Sequence, residues 1–227
     1  YYTIKYNSSG VKLWSSYYNG PAGPFGSEDR PHSLAVDDSG NVYVTGESSA
    51  GLVGIGLDLY ATVKYSKFGD SVWVARYKGP GVEGLSQAYA LAVDDSGNVF
   101  VTGRSDPFSA FGLNFDIVTI KYNPEGDSQW VHRYNGPGNS SDVGNDIAID
   151  SDGNIIVTGL SVGTNGGDYF TIKYKQDGDT LWTARYNADG LNSASSLSID
   201  NENNIYVTGL SRGKGTQRDY ATIKYNS

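Results

Sequence analysis

The sequence predicts an all-β fold: a β-propeller of four-stranded antiparallel blades, with about four blades' worth of sequence in the chain. Three observations predict it. The tetrapeptide Thr-Ile/Val-Lys-Tyr occurs five times, and its lysines (Lys5, Lys64, Lys121, Lys173, Lys224) lie 59, 57, 52 and 51 residues apart. A period of this length marks a repeat architecture. The tetrapeptide always sits at the same place in a four-part phrase. Each part is a short run rich in Val, Ile, Thr and Tyr, bounded by Gly, Pro, Asn and Asp, which reads as a strand between tight turns. A β-sandwich would not require one phrase to recur, and no 3.6-residue apolar period supports a helical solenoid.

Strand A of the phrase is an apolar stretch ending in Asp37, Asp94, Asp150 or Asp200. The turn after it (38–41, 95–98, 151–154, 201–204) is made of Asp, Ser, Gly, Asn and Glu, and Asn203 stands where the others have Gly. Gly and Asn are the residues that accept positive φ in a hairpin. Strand B ends in Thr-Gly, at Gly46, Gly103, Gly159 and Gly209. Strand C holds the tetrapeptide. After a second tight turn, strand D carries Trp14, Trp73, Trp130 or Trp182, with Tyr18, Tyr77, Tyr134 or Tyr186 four residues on. Gly-Pro closes three of the D strands, since Pro cannot continue a ladder. The units read as 1–32 (partial), 33–89, 90–145, 146–195 and 196–227 (partial) of one propeller domain or propeller segment.

Alternating strand direction puts the A–B and C–D turns on one face and the B–C and D–A connections on the other. The first set is short and constant. The second is long and irregular: 47–57, 105–114 and 210–218 join B to C, and 21–31, 81–87 and 138–144 join D to A. The chain starts and ends on strand C. This is expected of an arc cut from a larger ring; the alternative is an odd strand that pairs with a neighbouring copy.

The phrases at 35–46 (Ala-Val-Asp-Asp-Ser-Gly-Asn-Val-Tyr-Val-Thr-Gly), 10–14 (Gly-Val-Lys-Leu-Trp), 133–138 (Arg-Tyr-Asn-Gly-Pro-Gly) and 219–227 (Asp-Tyr-Ala-Thr-Ile-Lys-Tyr-Asn-Ser) resemble the bacterial SBBP-type beta-propeller repeat. Four phrases agree in order, and the resemblance covers nearly the whole chain apart from the variable loops. It implies a secreted or cell-surface bacterial protein, often large and multidomain, whose individual propellers mostly lack an assigned activity. The family name implies seven blades.

Composition narrows function. The net charge of −8 disfavours nucleic-acid phosphates and anionic lipid. No apolar run is long enough to span a membrane. Cysteine is absent, which removes disulfides, thiol catalysis and thiolate metal sites; Met is absent too, as expected of a processed or partial product. The recurring Trp, Lys, Arg and Asp occupy equivalent slots and read as scaffold. The turns at 37–41 and 150–154 share the oxygen-rich spacing of calcium loops, but they lack the downstream Glu and read as hairpin turns. No metal site, cofactor or catalytic group is expected. With only His32 and His132, a histidine metal site would need two distant units.

Candidate ligand-binding residues are therefore sought where equivalent slots disagree. One slot beside the start of strand A holds His32, Tyr89, Asn145 and Ser195, and the slot after the strand B glycine begins Glu47 and Arg104, then Leu160 and Leu210. Variety at the mouth of a channel suits a ligand rim, or a solvated rim with no partner. The expected function is a non-catalytic extracellular structural or interaction module, with another protein, a glycan or a neighbouring copy as partner. The alternative is a carbohydrate- or peptide-binding domain that uses the long-loop face. A propeller-based lyase or hydrolase is the third reading.

Overall fold

The computed structural model describes residues 1–21, 28–49, 58–80, 85–106, 114–164, 166–188, 190–212 and 218–227. Among them there are strands and turns but no helix. A two-stranded sheet comes first: β1 (Tyr2–Tyr6) and β2 (Lys12–Tyr17). Three four-stranded meanders follow. They are β3 (Asp29–Val36), β4 (Val42–Ser49), β5 (Asp58–Tyr65) and β6 (Ser71–Tyr77); β7 (Ser86–Val93), β8 (Val99–Ser105), β9 (Asp116–Tyr122) and β10 (Ser128–Tyr134); and β11 (Asp142–Ile149), β12 (Ile155–Gly163), β13 (Gly166–Tyr174) and β14 (Thr180–Tyr186). A three-stranded sheet ends the series: β15 (Ser193–Ile199), β16 (Ile205–Ser211) and β17 (Asp219–Tyr225). Every pairing is antiparallel between sequence neighbours, and the five sheets remain separate. The molecule is a radial series of blades, numbered one to five here, as the repeat predicts.

The inner strands β3, β7, β11 and β15 pack on one another in sequence, so they line the axis. The cores lie between blades. One is Tyr43, Tyr60 and Ala75 of blade two against Leu91, Val101, Val118 and Tyr122 of blade three. The next is Phe100 and Ile117 of blade three against Ile147, Val157 and Ile172 of blade four. Each apolar stripe thus buries itself only by stacking on the next copy, which is why the phrase must recur.

The repeated polar residues rivet these junctions. The indole nitrogens of Trp14, Trp73 and Trp130 donate to the carbonyls of Lys67, Pro124 and Gln176 in the next blade's C–D turn, at 3.0, 2.9 and 3.1 Å. The Lys64 and Lys121 ammoniums reach the same carbonyls as their neighbouring tryptophans, Pro124 at 3.2 Å and Gln176 at 3.0 Å. The Tyr60 hydroxyl donates to the Val118 carbonyl at 3.2 Å, and that of Tyr169 to Ala221 at 3.2 Å. Arg185 donates to the Tyr134 hydroxyl of the preceding blade at 2.8 Å and to its own blade's Asp168 at 2.9 Å.

The turn aspartates cap their own hairpins. Asp37, Asp94, Asp150 and Asp200 accept the backbone N–H four residues on, at 2.8–2.9 Å, and also bind that residue's side-chain amide. Gly40 has φ +84° and Asn203 +63°, the left-handed conformation that the turn sequences anticipate. These carboxylates serve the turns, so the calcium-loop pattern has a structural explanation.

One expectation changes. The inner strands β3, β7 and β11 begin at Asp29, Ser86 and Asp142, inside stretches that the sequence assigns to the long connections, and β4 runs to Ser49. The ladder extends past a one-residue bulge on each inner strand, between Pro31/Ser33, Ala88/Ala90, Gly144/Asp146 and Ala194/Ser196. A bulge breaks the period-two pattern and hides the first rungs of the strand. Opposite each bulge stands the Thr-Gly glycine. A Cβ on Gly46, Gly103, Gly159 or Gly209 would land on the carbonyl of Arg30, Gln87, Val143 or Ser193.

Candidate functional site

The bulges build the site. Residue His32 is the extra residue of the first, Tyr89 of the second, Asn145 of the third and Ser195 of the fourth. Freed from the ladder, they lie along the inner strands towards the long-connection face. The rungs just beyond each bulge pair Arg30 with Glu47 and Gln87 with Arg104 across the A–B hairpins.

At the junction of blades two and three these groups converge. The Glu47 carboxylate is buried; it accepts from Arg30 Nη1 at 2.9 Å and from the Gln87 amide of the next blade, and His32 Nε2 lies 4.0 Å away. Gln87 Oε1 in turn accepts from Arg104 Nε at 2.8 Å and from the Tyr89 hydroxyl at 2.8 Å. The Arg104 guanidinium lies 4.1 Å from the Phe115 ring centre and 5.7 Å from that of Tyr89. The His32 and Tyr89 rings meet edge to face with centres 5.3 Å apart. Burial pushes the Tyr89 phenol up from its usual value, against the lowering pull of Arg104, so it stays a hydrogen-bond donor at neutral pH. The hydrogen bond to Glu47, with the charges of Glu28 and Glu47, holds the Arg30 guanidinium firmly protonated.

Four of the six predicted site residues, His32, Glu47, Tyr89 and Arg104, therefore form one continuous network. Asn145 and Ser195 continue the same inner row, but Asn145 spends its amide on the Ala194 carbonyl at 2.7 Å, a link between blades four and five. Ser195 is exposed on blade five. Sequence reasoning missed Arg30 and Gln87. The available signal was the register: counting back from the A–B turn with one bulged residue places Arg30 opposite Glu47 and Gln87 opposite Arg104.

Chemically, the patch is a set of fixed donors and planar faces around one buried carboxylate. Arg30 and Arg104 keep further N–H donors that can orient an acceptor, and the rings of His32 and Tyr89 offer apolar surface.

The profile of the family described as SBBP, Beta-propeller repeat, matches residues 14–52 and 129–167. Two stretches of the chain thus match the SBBP beta-propeller repeat. The two SBBP matches each run from strand D of one blade through the bulged A–B hairpin of the next, which is the stretch that builds the inner row. The chain is also similar to an uncharacterized WD repeat-containing protein of Acanthamoeba polyphaga mimivirus, 30% identical over 143 residues, or 48% of this chain. It spans about a tenth of the length of that relative. Among solved structures, the X-ray structure of a protein named as a proposed gluconolactonase is similar with a TM-score of 0.46 and 12% identity, covering 91% of this chain and 62% of the other.

Proposed function

We propose that this chain is a non-catalytic interaction module of an extracellular or cell-surface protein, and that its partner contacts the network centred on Glu47, Gln87 and Arg104. The observation that carries the reading is the contrast within one row of equivalent slots. Blades two and three fill them with Arg30, Glu47, Gln87, Tyr89 and Arg104, interlinked across the junction. Blades four and five fill the Glu47 slot with Leu160 and Leu210. Rigid repeats that vary at one rim are a common platform for recognition. The WD-repeat name of the viral relative fits a propeller that holds a partner. The non-catalytic part rests on the carboxylates: in repeated slots, Asp37, Asp94, Asp150 and Asp200 cap turns and Asp116 and Asp168 pair with Arg133 and Arg185, and Glu47 is committed to Arg30 and Gln87.

A second reading, a carbohydrate- or peptide-binding domain, is favoured by Tyr89 and Arg104 lying side by side. A ring and a guanidinium can hold a sugar face or a peptide carboxylate. The test is parallel screening of the chain on a glycan array and against a displayed peptide library, with Tyr89→Ala and Arg104→Ala as controls. Reproducible ligands that both substitutions abolish support the site. Ligands that survive both substitutions at full strength contradict it.

A further inference from the structure

We infer that the ligand of the row centred on Glu47, Gln87 and Arg104 is an acidic sugar, with its carboxylate on Arg104 and its ring against Tyr89. The inference deepens the reading above and rests on it. It starts from a charge without a counter-charge. Of the described arginines, Arg104, Arg133 and Arg185 are half-buried. Arg133 pairs with Asp116 at 2.8 Å and Arg185 with Asp168 at 2.9 Å. The exposed Arg30 pairs with both Glu28 and Glu47. Arg104 pairs with no carboxylate among the described residues; its Nε and Nη2 both donate to the neutral Gln87 Oε1. Glu47, the carboxylate of the same network, is held by Arg30 and Gln87. A cation drawn partly out of water costs free energy until an anion meets it.

The surroundings define that anion. The guanidinium lies over the Phe115 ring at 4.1 Å, and Gln87 occupies its Nε side. The donors that remain are on Nη1 and Nη2, the fork that meets a carboxylate through two parallel hydrogen bonds. Phe115 is 3% exposed, so it braces the guanidinium and takes no ligand. Tyr89 is half-buried and His32 exposed, with ring centres 5.3 Å apart. The apolar surface of the network is therefore ring faces, and no aliphatic side chain belongs to it. Peptide partners anchor through apolar side chains seated in pockets. A flat ring beside a fork of donors suits a pyranose that carries a carboxylate. The further N–H donors of Arg30 serve its hydroxyls. The net charge of −8 repels a long polyanion, so the fitting ligand is a short oligosaccharide.

The probes are short oligomers of galacturonate, glucuronate, mannuronate and guluronate, each paired with its methyl ester, which keeps the sugar and removes the charge. Titration calorimetry against the full chain is the readout. At least one acid is expected to bind saturably and about tenfold or more tighter than its ester, the size of one charge-assisted hydrogen bond. Arg104→Gln should erase that ratio, Arg104→Lys should keep part of it, and Tyr89→Ala should weaken acid and ester alike. The ratio itself is measured on the wild-type chain and needs no variant to fold; thermal melts check the variants. A panel in which no acid binds, an ester that binds as tightly as its acid, or a ratio that survives Arg104→Gln would each overturn the inference. If the uronates fail while neutral glycans or peptides bind and are lost on Tyr89→Ala, the interaction site stands and the acidic sugar falls. If no ligand of any class is weakened by Tyr89→Ala or Arg104→Gln, both fall.

Discussion

The junction of blades two and three and that of blades four and five share one backbone and differ in what they show to solvent. Both have a bulged inner strand, a Thr-Gly glycine under the bulge carbonyl, and a tyrosine hydroxyl driven into the next blade's strand C carbonyl (Tyr60 to Val118, Tyr169 to Ala221). Beyond the bulge, the first presents Arg30, Glu47, Gln87 and Arg104 in one network. The second presents Val143 across from Leu160 and Ser193 across from Leu210. The difference separates two kinds of residue. Those that repeat hold the blades together, and those that diverge on an identical frame are free to recognise something.

The strongest way to break this comparison is to attack what both junctions share. Gly103→Ala and Gly159→Ala should each destabilise by about 3 kcal/mol or more, because the added methyl meets backbone that can only yield by opening the bulge. Equal losses in urea melts sharpen the shared-frame claim; a tolerated substitution at either site breaks it.

A difference of scaffold comes next. Lys64 and Lys121 reach the following blade's turn, whereas Lys173 is buried against Asp150 at 2.9 Å. Burial disfavours the Asp150 carboxylate, but the hydrogen bonds from Lys173 and Asn154 outweigh it and hold the group below its ordinary value. Lys173→Ala strands that charge and should cost about 3–5 kcal/mol. Lys64→Ala removes one hydrogen bond from a charged donor and should cost about 1–2 kcal/mol. Chemical denaturation of the two variants would contradict the account if their order were reversed.

Much of this frame was legible in the sequence. Five copies of Thr-Ile/Val-Lys-Tyr marked the five C strands, and Trp at a constant place in strand D read as scaffold; Trp73 and Trp130 dock on the next blade. The Gly or Asn of the A–B turn announced positive φ. What stayed hidden follows from the bulges. His32 and Tyr89 stood out because their slot varies, but Arg30 and Gln87 lie on the far side of an inserted residue, where the alternation of faces resets. Period-two reading therefore placed them in loops. The contact between Glu47 and Gln87 joins residues 40 apart on different blades, and only the radial stacking reveals it.

A smaller effect concerns acid. Hydrogen bonds from Asn204, chiefly its side-chain amide, lower the Asp200 carboxyl to about 2, and Asp37 and Asp150 are lowered as well. Groups depressed in the folded state contribute stability that is complete above the unfolded value of 3.8 and lost as pH falls towards about 2. Burial raises Asp116 and Asp142, and these work in the opposite sense: their contribution fades as pH rises through their folded values. Melting temperature should therefore fall between pH 3.8 and about 2, and Asp200→Asn should flatten that fall slightly. A wild-type melting temperature that rises on acidification through this window would contradict the turn-capping assignment.

The most direct measurement rewrites one junction as the other. Glu47→Leu with Arg104→Leu gives blades two and three the leucines that blades four and five carry in the same slots. Ligands selected from a peptide library and a glycan array against the wild-type chain are then titrated against the variant. The account predicts a melting temperature within about 5 °C of wild type, as for a change of about 1 kcal/mol in a chain of this size, with binding of the selected ligands abolished. A variant that melts normally and binds those ligands with undiminished affinity would contradict it.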